Sequence, residues 1–329
     1  MNVRRRLIPA SAVTAVTALA LGTLSACSSD SAAAGNTGKF DVVASFYPMA
    51  FLAEQIGGDH VNVTSLTQPG QEPHDLEISA KQTAQLEETD AALYLKGLQP
   101  NVDEAIGQSG VKTKIDAATL TTLETHGAED GHGHGDEDHA HEDEGGHEGH
   151  SHDTEGGKDP HVWLDPVKYA EVAEGVGKAF EKADPDHAAD YRKNTDTLVG
   201  KLNELDTTLE AGLKDRKTDV FITTHASFGY FAERYGLTEE AINGLDPESE
   251  PSAARVKELT ETAGADGVTT VFYETLVSDD TAKTVAKDAG LKTDVLDPLE
   301  GITDSSRGAD YFEVMESNLK ALQTALGSA

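Results

Sequence analysis

The chain has 329 residues, a formal charge of −33 and one cysteine. That is long enough for two domains, each with its own core. A charge of this sign and size makes nucleic acid and anionic lipid surfaces poor partners and cations good ones, and a lone cysteine leaves no internal disulfide framework.

The N-terminus reads as a targeting segment. Arg4-Arg5-Arg6 forms a positive region, and Leu7 to Leu21 is an apolar and small-residue stretch too short to span a bilayer comfortably. It closes on Leu24-Ser25-Ala26-Cys27, similar to the lipobox cut before a lipid-modified cysteine. The expected organisation is a lipoprotein signal peptide over 1–26, lipidation at Cys27, and a flexible Ser/Ala/Gly tether over 27–39. Loss of the three arginines takes the mature chain to −36.

From Phe40 short β-branched runs alternate with helical stretches. Val42 to Ser45, Val61 to Leu66, Ala91 to Leu95 and Thr113 to Ile115 read as strands. Helices are expected over Pro48 to Gly57, Ser79 to Glu87 and Asn101 to Ser109. Glu124 to Asp159 then holds thirteen acidic residues, eight histidines and one lysine. Such a stretch has almost nothing apolar to bury, so 124–158 is expected to be a solvated, disordered loop. Its imidazoles, His126, His132, His134, His139, His141, His147, His150 and His152, suit a borderline-soft divalent ion as auxiliary ligands.

Beyond it, Pro166 to about Lys182 reads as a helix. A second starts with Asp184 as cap and Pro185 in its first turn, and carries an apolar stripe at Leu198, Leu202, Leu205, Leu209 and Leu213. Continuous to Leu213 it is about 42 Å long, enough to run beside two small lobes and connect them. Strands follow at Asp219 to Thr224, Ala241 to Leu245, Val268 to Tyr273 and Thr293 to Leu296. Helices are expected at Ser227 to Tyr235, Ser252 to Ala263, Asp279 to Ala289 and Ala309 to Leu326. The alternation predicts an α/β protein of two lobes with mostly parallel sheets: an N-terminal lobe over 40–184, an interlobe helix over 185–215 and a C-terminal lobe over 216–329.

Open α/β sheets bind ligands outside the carboxyl ends of their strands. His225, Glu274 and Asp297 each follow a predicted strand directly, His74 lies in the loop after the strand ending near Leu66, and His161 closes the histidine-rich loop. Two ligands from each lobe would place a metal in the cleft between them. Read singly, each residue also has an ordinary alternative, as a hydrogen-bonded histidine or an acid opening a turn.

Four motifs carry a resemblance: Gln71-Glu-Pro-His-Asp-Leu-Glu-Ile-Ser79, Asp159-Pro-His-Val-Trp-Leu-Asp-Pro166, Thr224-His-Ala-Ser-Phe-Gly-Tyr-Phe231 and Gly244-Leu-Asp-Pro-Glu-Ser-Glu-Pro-Ser252. Over about Phe40 to Leu326 the chain is similar to the metal-binding lipoproteins of ABC importers, and more narrowly to the zinc branch of the cluster A-I solute-binding family. The resemblance implies two (β/α) lobes joined by one long rigid helix, with the metal between them. By motif it implies His74 and His161 from the first lobe, and His225 and Asp297 from the second. Glu72, beside His74, is the alternative fourth ligand, and Glu274 is expected to stand behind a ligand and orient it. Manganese-binding relatives tend to place a carboxylate where this chain has His225, and three imidazoles with one carboxylate suit zinc.

The function implied is capture of zinc outside the cell, as cargo, by a non-catalytic monomer. Cys27 would anchor it to the outer face of the bacterial cytoplasmic membrane, beside an ABC permease with a cytoplasmic ATPase. The alternatives are a manganese-binding or adhesin-type relative, and a secreted zinc hydrolase. The hydrolase would need an open coordination position and a general base, and the sequence has no His-Glu-x-x-His helix.

Overall fold

The computed structural model describes residues 38–126 and 157–328. Strands β1 (Phe40–Ala44), β2 (Val61–Ser65), β3 (Ala91–Tyr94) and β4 (Thr113–Asp116) form a parallel sheet in the order β2-β1-β3-β4. Strands β5 (Val220–Thr223), β6 (Thr238–Ala241), β7 (Thr270–Tyr273) and β8 (Lys292–Val295) form a second in the same relative order, β6-β5-β7-β8. Parallel neighbours need crossovers, and helices supply them: α1 (Tyr47–Gly57), α2 (Ala80–Glu88) and α3 (Pro100–Gln108) in the first lobe, then α6 (Gly229–Tyr235), α7 (Ala253–Asp266) and α8 (Asp280–Ala289) in the second. The fold is two parallel-sheet α/β lobes with a long helix between them.

Local chemistry sets most boundaries. Ser79 caps α2 in a reciprocal capping box with Gln82. Asp165 caps α4 (Pro166–Ala183) by accepting from Val167 N, with Pro166 in the first turn where its missing N–H is no loss. The long connection differs in detail from expectation. A single 3₁₀ turn, Pro185–His187, precedes α5 (Ala188–Gly212), which is about 37 Å long. Strand β6 also lies upstream of the run Ala241 to Leu245, because Leu237 N bonds back to Ala232 O and the chain turns early into the sheet.

Tyr191, Thr195, Leu198, Leu202, Leu205 and Leu209 form the buried stripe of α5. The helix packs against α1, α4 and the closing helix α9 (Tyr311–Leu326). A Cβ at Gly177 would collide with the Thr195 side chain, so the glycine sets the close approach of α4 to α5. The consequence is one apolar core shared by the lobes. Val42, Leu93 and Trp163 from the first half, Leu198 to Leu209 from α5, and Phe221, Phe231, Phe272 and Tyr311 from the second half belong to a single cluster. Two smaller clusters lie elsewhere, one under α7 and α8 and one under α2 and α3.

Trp163 ties the halves together. Its indole Nε1 donates to Pro298 O at 2.7 Å, and its own carbonyl accepts from Tyr311 Oη at 2.6 Å. Both bonds are buried, so neither competes with water. The segment carrying His161 and the turn around Pro298 are thereby held in fixed relation.

Candidate metal centre

Three imidazoles and one carboxylate converge between the lobes. Glu300 Oε1 lies 3.2 Å from His74 Nε2, 3.4 Å from His161 Nε2 and 3.3 Å from His225 Nε2. His161, His225 and Glu300 are fully buried, and only His74 retains some exposure, at 12%. The Nε2 atoms of His161 and His225 and the second oxygen of Glu300 are buried without a hydrogen-bond partner. Buried polar atoms are almost always satisfied, so this concentration of orphans marks a place built for something else.

The distances say what fits. A tetrahedral zinc ion with bonds of about 2.0–2.1 Å has ligand atoms separated by roughly 3.3–3.4 Å. The three nitrogen-to-oxygen separations match that edge, so an ion can enter the centre without the donors moving far. Three nitrogens and one oxygen suit zinc better than a hard cation, which prefers oxygen throughout.

Each buried imidazole is oriented from behind. His161 Nδ1 bonds Asp159 Oδ1 at 2.7 Å, and Asp159 Oδ1 also accepts from the His161 backbone N–H. His225 Nδ1 bonds Glu274 Oε1 at 2.6 Å, and the Thr224 hydroxyl donates to the same oxygen. Such carboxylates fix the tautomer and leave Nε2 facing Glu300. Glu274 directly follows β7 and His225 lies two residues past the end of β5, the neighbouring strands at which the second sheet's order reverses.

The charges are strongly coupled. Burial opposes protonation of His161, but the Asp159 carboxylate overcomes it and pushes the imidazole up to about 8. Burial acts the same way on His225, and Glu274 and Glu300 outweigh it, holding that ring well above its ordinary value. Burial pushes the Glu300 carboxyl up, yet the surrounding imidazoles hold it well below the usual range. Protons on the imidazoles and the Glu300 carboxylate thus balance one another within the buried group.

The geometry corrects one expectation. Asp297 is buried but lies outside this group. Its Oδ1 accepts from Leu299 N at 2.9 Å and its Oδ2 from the Thr275 hydroxyl at 3.2 Å, while Asn318 clamps its backbone on both sides. Leu299 takes a left-handed conformation at φ 60°, rare for a branched residue. This turn sets the Asp297 carboxylate onto the backbone and brings Glu300 into the centre instead. Glu72 is also outside the group, its two oxygens accepting from His74 N and Asp75 N. Arg255 pairs with Glu240 and Glu258, away from the four donors. His60 and His187 stack on each other at 4.1 Å, each bonded to an aspartate. Of the histidine-rich segment, His126 is described, while His132, His134, His139, His141, His147, His150 and His152 lie outside the described residues, as does Cys27.

A family model described as zinc-uptake complex component A, periplasmic, matches residues 42–325. The chain belongs to this family. Among its relatives, the zinc-binding lipoprotein AdcA of Streptococcus pneumoniae (strain ATCC BAA-255 / R6) is 39% identical over 307 residues, covering 91% of this chain and 58% of AdcA. This chain therefore spans somewhat over half the length of that relative. The high-affinity zinc uptake system protein ZnuA of Bacillus subtilis (strain 168) is 34% identical over 294 residues, covering 88% of each. Among solved structures, the Zn(II)-bound ZnuA-like domain of S. pneumoniae AdcA superposes with a TM-score of 0.69 at 34% identity, covering 88% of this chain and 99% of that domain. The family is one of solute-binding transport proteins.

Proposed function

We propose that this chain captures zinc outside the cytoplasm and passes it to an ABC permease driven by a cytoplasmic ATPase, and that it works as a monomer anchored through a lipid on Cys27. The observation that carries the reading is the convergence of His74, His161 and His225 Nε2 on Glu300 Oε1 at tetrahedral-edge distances. The naming of the relatives as zinc-binding and zinc-uptake proteins supports the choice of ion. Four protein donors fill a tetrahedral shell and leave no position for an activated water, which favours binding and release over catalysis. Zinc is cargo here. Binding expels the protons held on the imidazoles, so capture is coupled to proton release. The histidines from His132 to His152 would raise the local zinc concentration near the cleft.

The test is a zinc and manganese titration of the chain from Ser28, beside a variant lacking 129–153. One tight zinc site that survives the deletion is the expected result. Loss of all tight binding on deletion would move the principal site into the deleted segment and overturn the ligand set. A preference for manganese would overturn the cargo.

A further inference from the structure

The bonds that orient His161 do not position it against the second lobe. Asp159 Oδ1 holds both the ring and the backbone N–H of His161, two residues away, so this arrangement travels with its own segment. The segment continues through the 3₁₀ turn Val162–Leu164 to Asp165. Its register with His225, whose ring centre stands 5.3 Å from that of His161, has to come from outside.

Helix α6 supplies it. The helix begins four residues after His225 and packs against the turn Val162–Leu164. Tyr230 and Arg234 are four apart, so they project from one face. Tyr230 reaches the start of the segment. Its Oη donates to Asp159 O and accepts from Glu124 N, each at 2.7 Å. Tyr230 is buried, so both bonds are shielded from water. Arg234 reaches the end. Its Nε lies 3.3 Å from Asp165 Oδ1, the oxygen that also caps α4 through Val167 N. The same guanidinium forks onto Asp206 of α5, Nε to Oδ1 at 2.6 Å and Nη2 to Oδ2 at 2.8 Å. A planar, two-pronged cation can serve both aspartates at once, and a lysine cannot.

We propose that Tyr230 and Arg234 are positioning residues for zinc binding, a clamp on both ends of the 159–165 segment that fixes His161 against His225. This rests on the reading of the four-donor centre as the zinc site. A binding geometry has to be held within about 0.5 Å to work. With the clamp closed, His161 cannot withdraw without breaking a buried hydrogen bond or an ion pair. With either end released, the segment can carry Asp159 and His161 outward together, the ring still oriented, and the ion gains a second way out beside His74. The clamp therefore acts on the lifetime of the bound ion more than on its capture.

The test uses the full-length chain in detergent, with the seven histidines from His132 to His152 changed to asparagine to remove their signal. Zinc release into excess chelator is followed by stopped flow, and the ligand-field bands of the cobalt(II)-loaded chain report the geometry of the centre. Tyr230→Phe keeps the ring and loses the hydroxyl, and Arg234→Gln keeps the stem and loses the charge. Each should speed zinc release about tenfold, the lower end of what loss of a ligand-orienting group costs, and alter the cobalt bands. Arg255→Gln is the control. Arg255 bonds Glu240, Glu258 and Ala241 O, all on the second lobe. Its loss should lower the thermal midpoint and leave the release rate and the bands of the parent. Parent-like release from Tyr230→Phe or from Arg234→Gln, or equal acceleration by Arg255→Gln, overturns the clamp. A parent without a tight zinc ion would instead sink the reading of the centre on which the clamp stands.

Discussion

Replacing Glu300 by glutamine keeps an oxygen at the centre and removes its charge. The ion that fits the three nitrogens sits about 2 Å from that oxygen. Even with screening as strong as bulk water, a full charge at this distance from a divalent ion contributes about 4 kcal/mol. The burial of His161, His225 and Glu300 makes the real screening weaker. The amide oxygen regains part of the loss, leaving about 3 kcal/mol, or two orders of magnitude in zinc affinity. Asp297→Asn is the matched comparison. Its carboxylate is spent on Leu299 N and Thr275, and asparagine can still accept from Leu299 N, so affinity should stay within tenfold of the parent. Competition against a strong chelator reads the tight site alone. If Glu300→Gln binds within tenfold of the parent, or Asp297→Asn loses more than Glu300→Gln, the assignment of the fourth donor is wrong.

Three further outcomes can be checked separately. Glu274→Gln leaves His225 oriented by a neutral partner and should cost 10- to 100-fold in zinc affinity by the same competition assay, against no change if Glu274 only packs. Burial pushes the Glu239 carboxyl up to about 7, well above its value of about 4.5 in an unfolded chain. Its stabilising contribution is therefore full below about pH 4.5 and falls as pH rises to 7, by up to about 3 kcal/mol. Glu239→Gln keeps an oxygen to accept from Thr223 and Phe228 N, so its gain in stability should grow across that window and level off above it in urea melts. A gain independent of pH would contradict this sign. Leu202→Ala opens a cavity where α5 is fully buried and should cost about 2–5 kcal/mol in the unfolding of the zinc-free chain. Two separated transitions in that experiment would show that the lobes do not share one core.

The fold was legible because its signals are local and repeated. Leu198, Leu202, Leu205 and Leu209 recur at helical spacing, and the strands are short β-branched runs bounded by turns. His74, His161 and His225, which the structure brings round Glu300, could be singled out because each lies in a motif and in or beside a loop after a strand. The fourth member of the group was harder to read. Asp297 and Glu300 are three residues apart, and the acid immediately after β8 is the natural choice when only distance from the strand is counted. The deciding feature is the left-handed Leu299, a conformation that a leucine does not announce. A glycine there would have signalled the reversal. Asp159 was visible as part of its motif, but its second bond, to His126, depends on a side chain 33 residues back along the chain, which no spacing rule reports. The early entry into β6 had the same origin, a tertiary bond from Leu237 to Ala232.

The shared core along α5 would decide how an ion at the proposed centre comes and goes. Because apolar side chains from both halves pack in one mass, swinging the lobes apart would expose that mass to water, and exchange has to proceed by ligand replacement at the rim. His161 and His225 are pinned by carboxylates, and Glu300 is held by the turn that Trp163 grips through Pro298. His74 alone has an edge in solvent and sits on a loop between β2 and α2. As a ligand of the proposed centre it would be the first donor a departing ion loses and the last an arriving ion gains. On the proposed function, the lifetime of the loaded state would be a property of that loop.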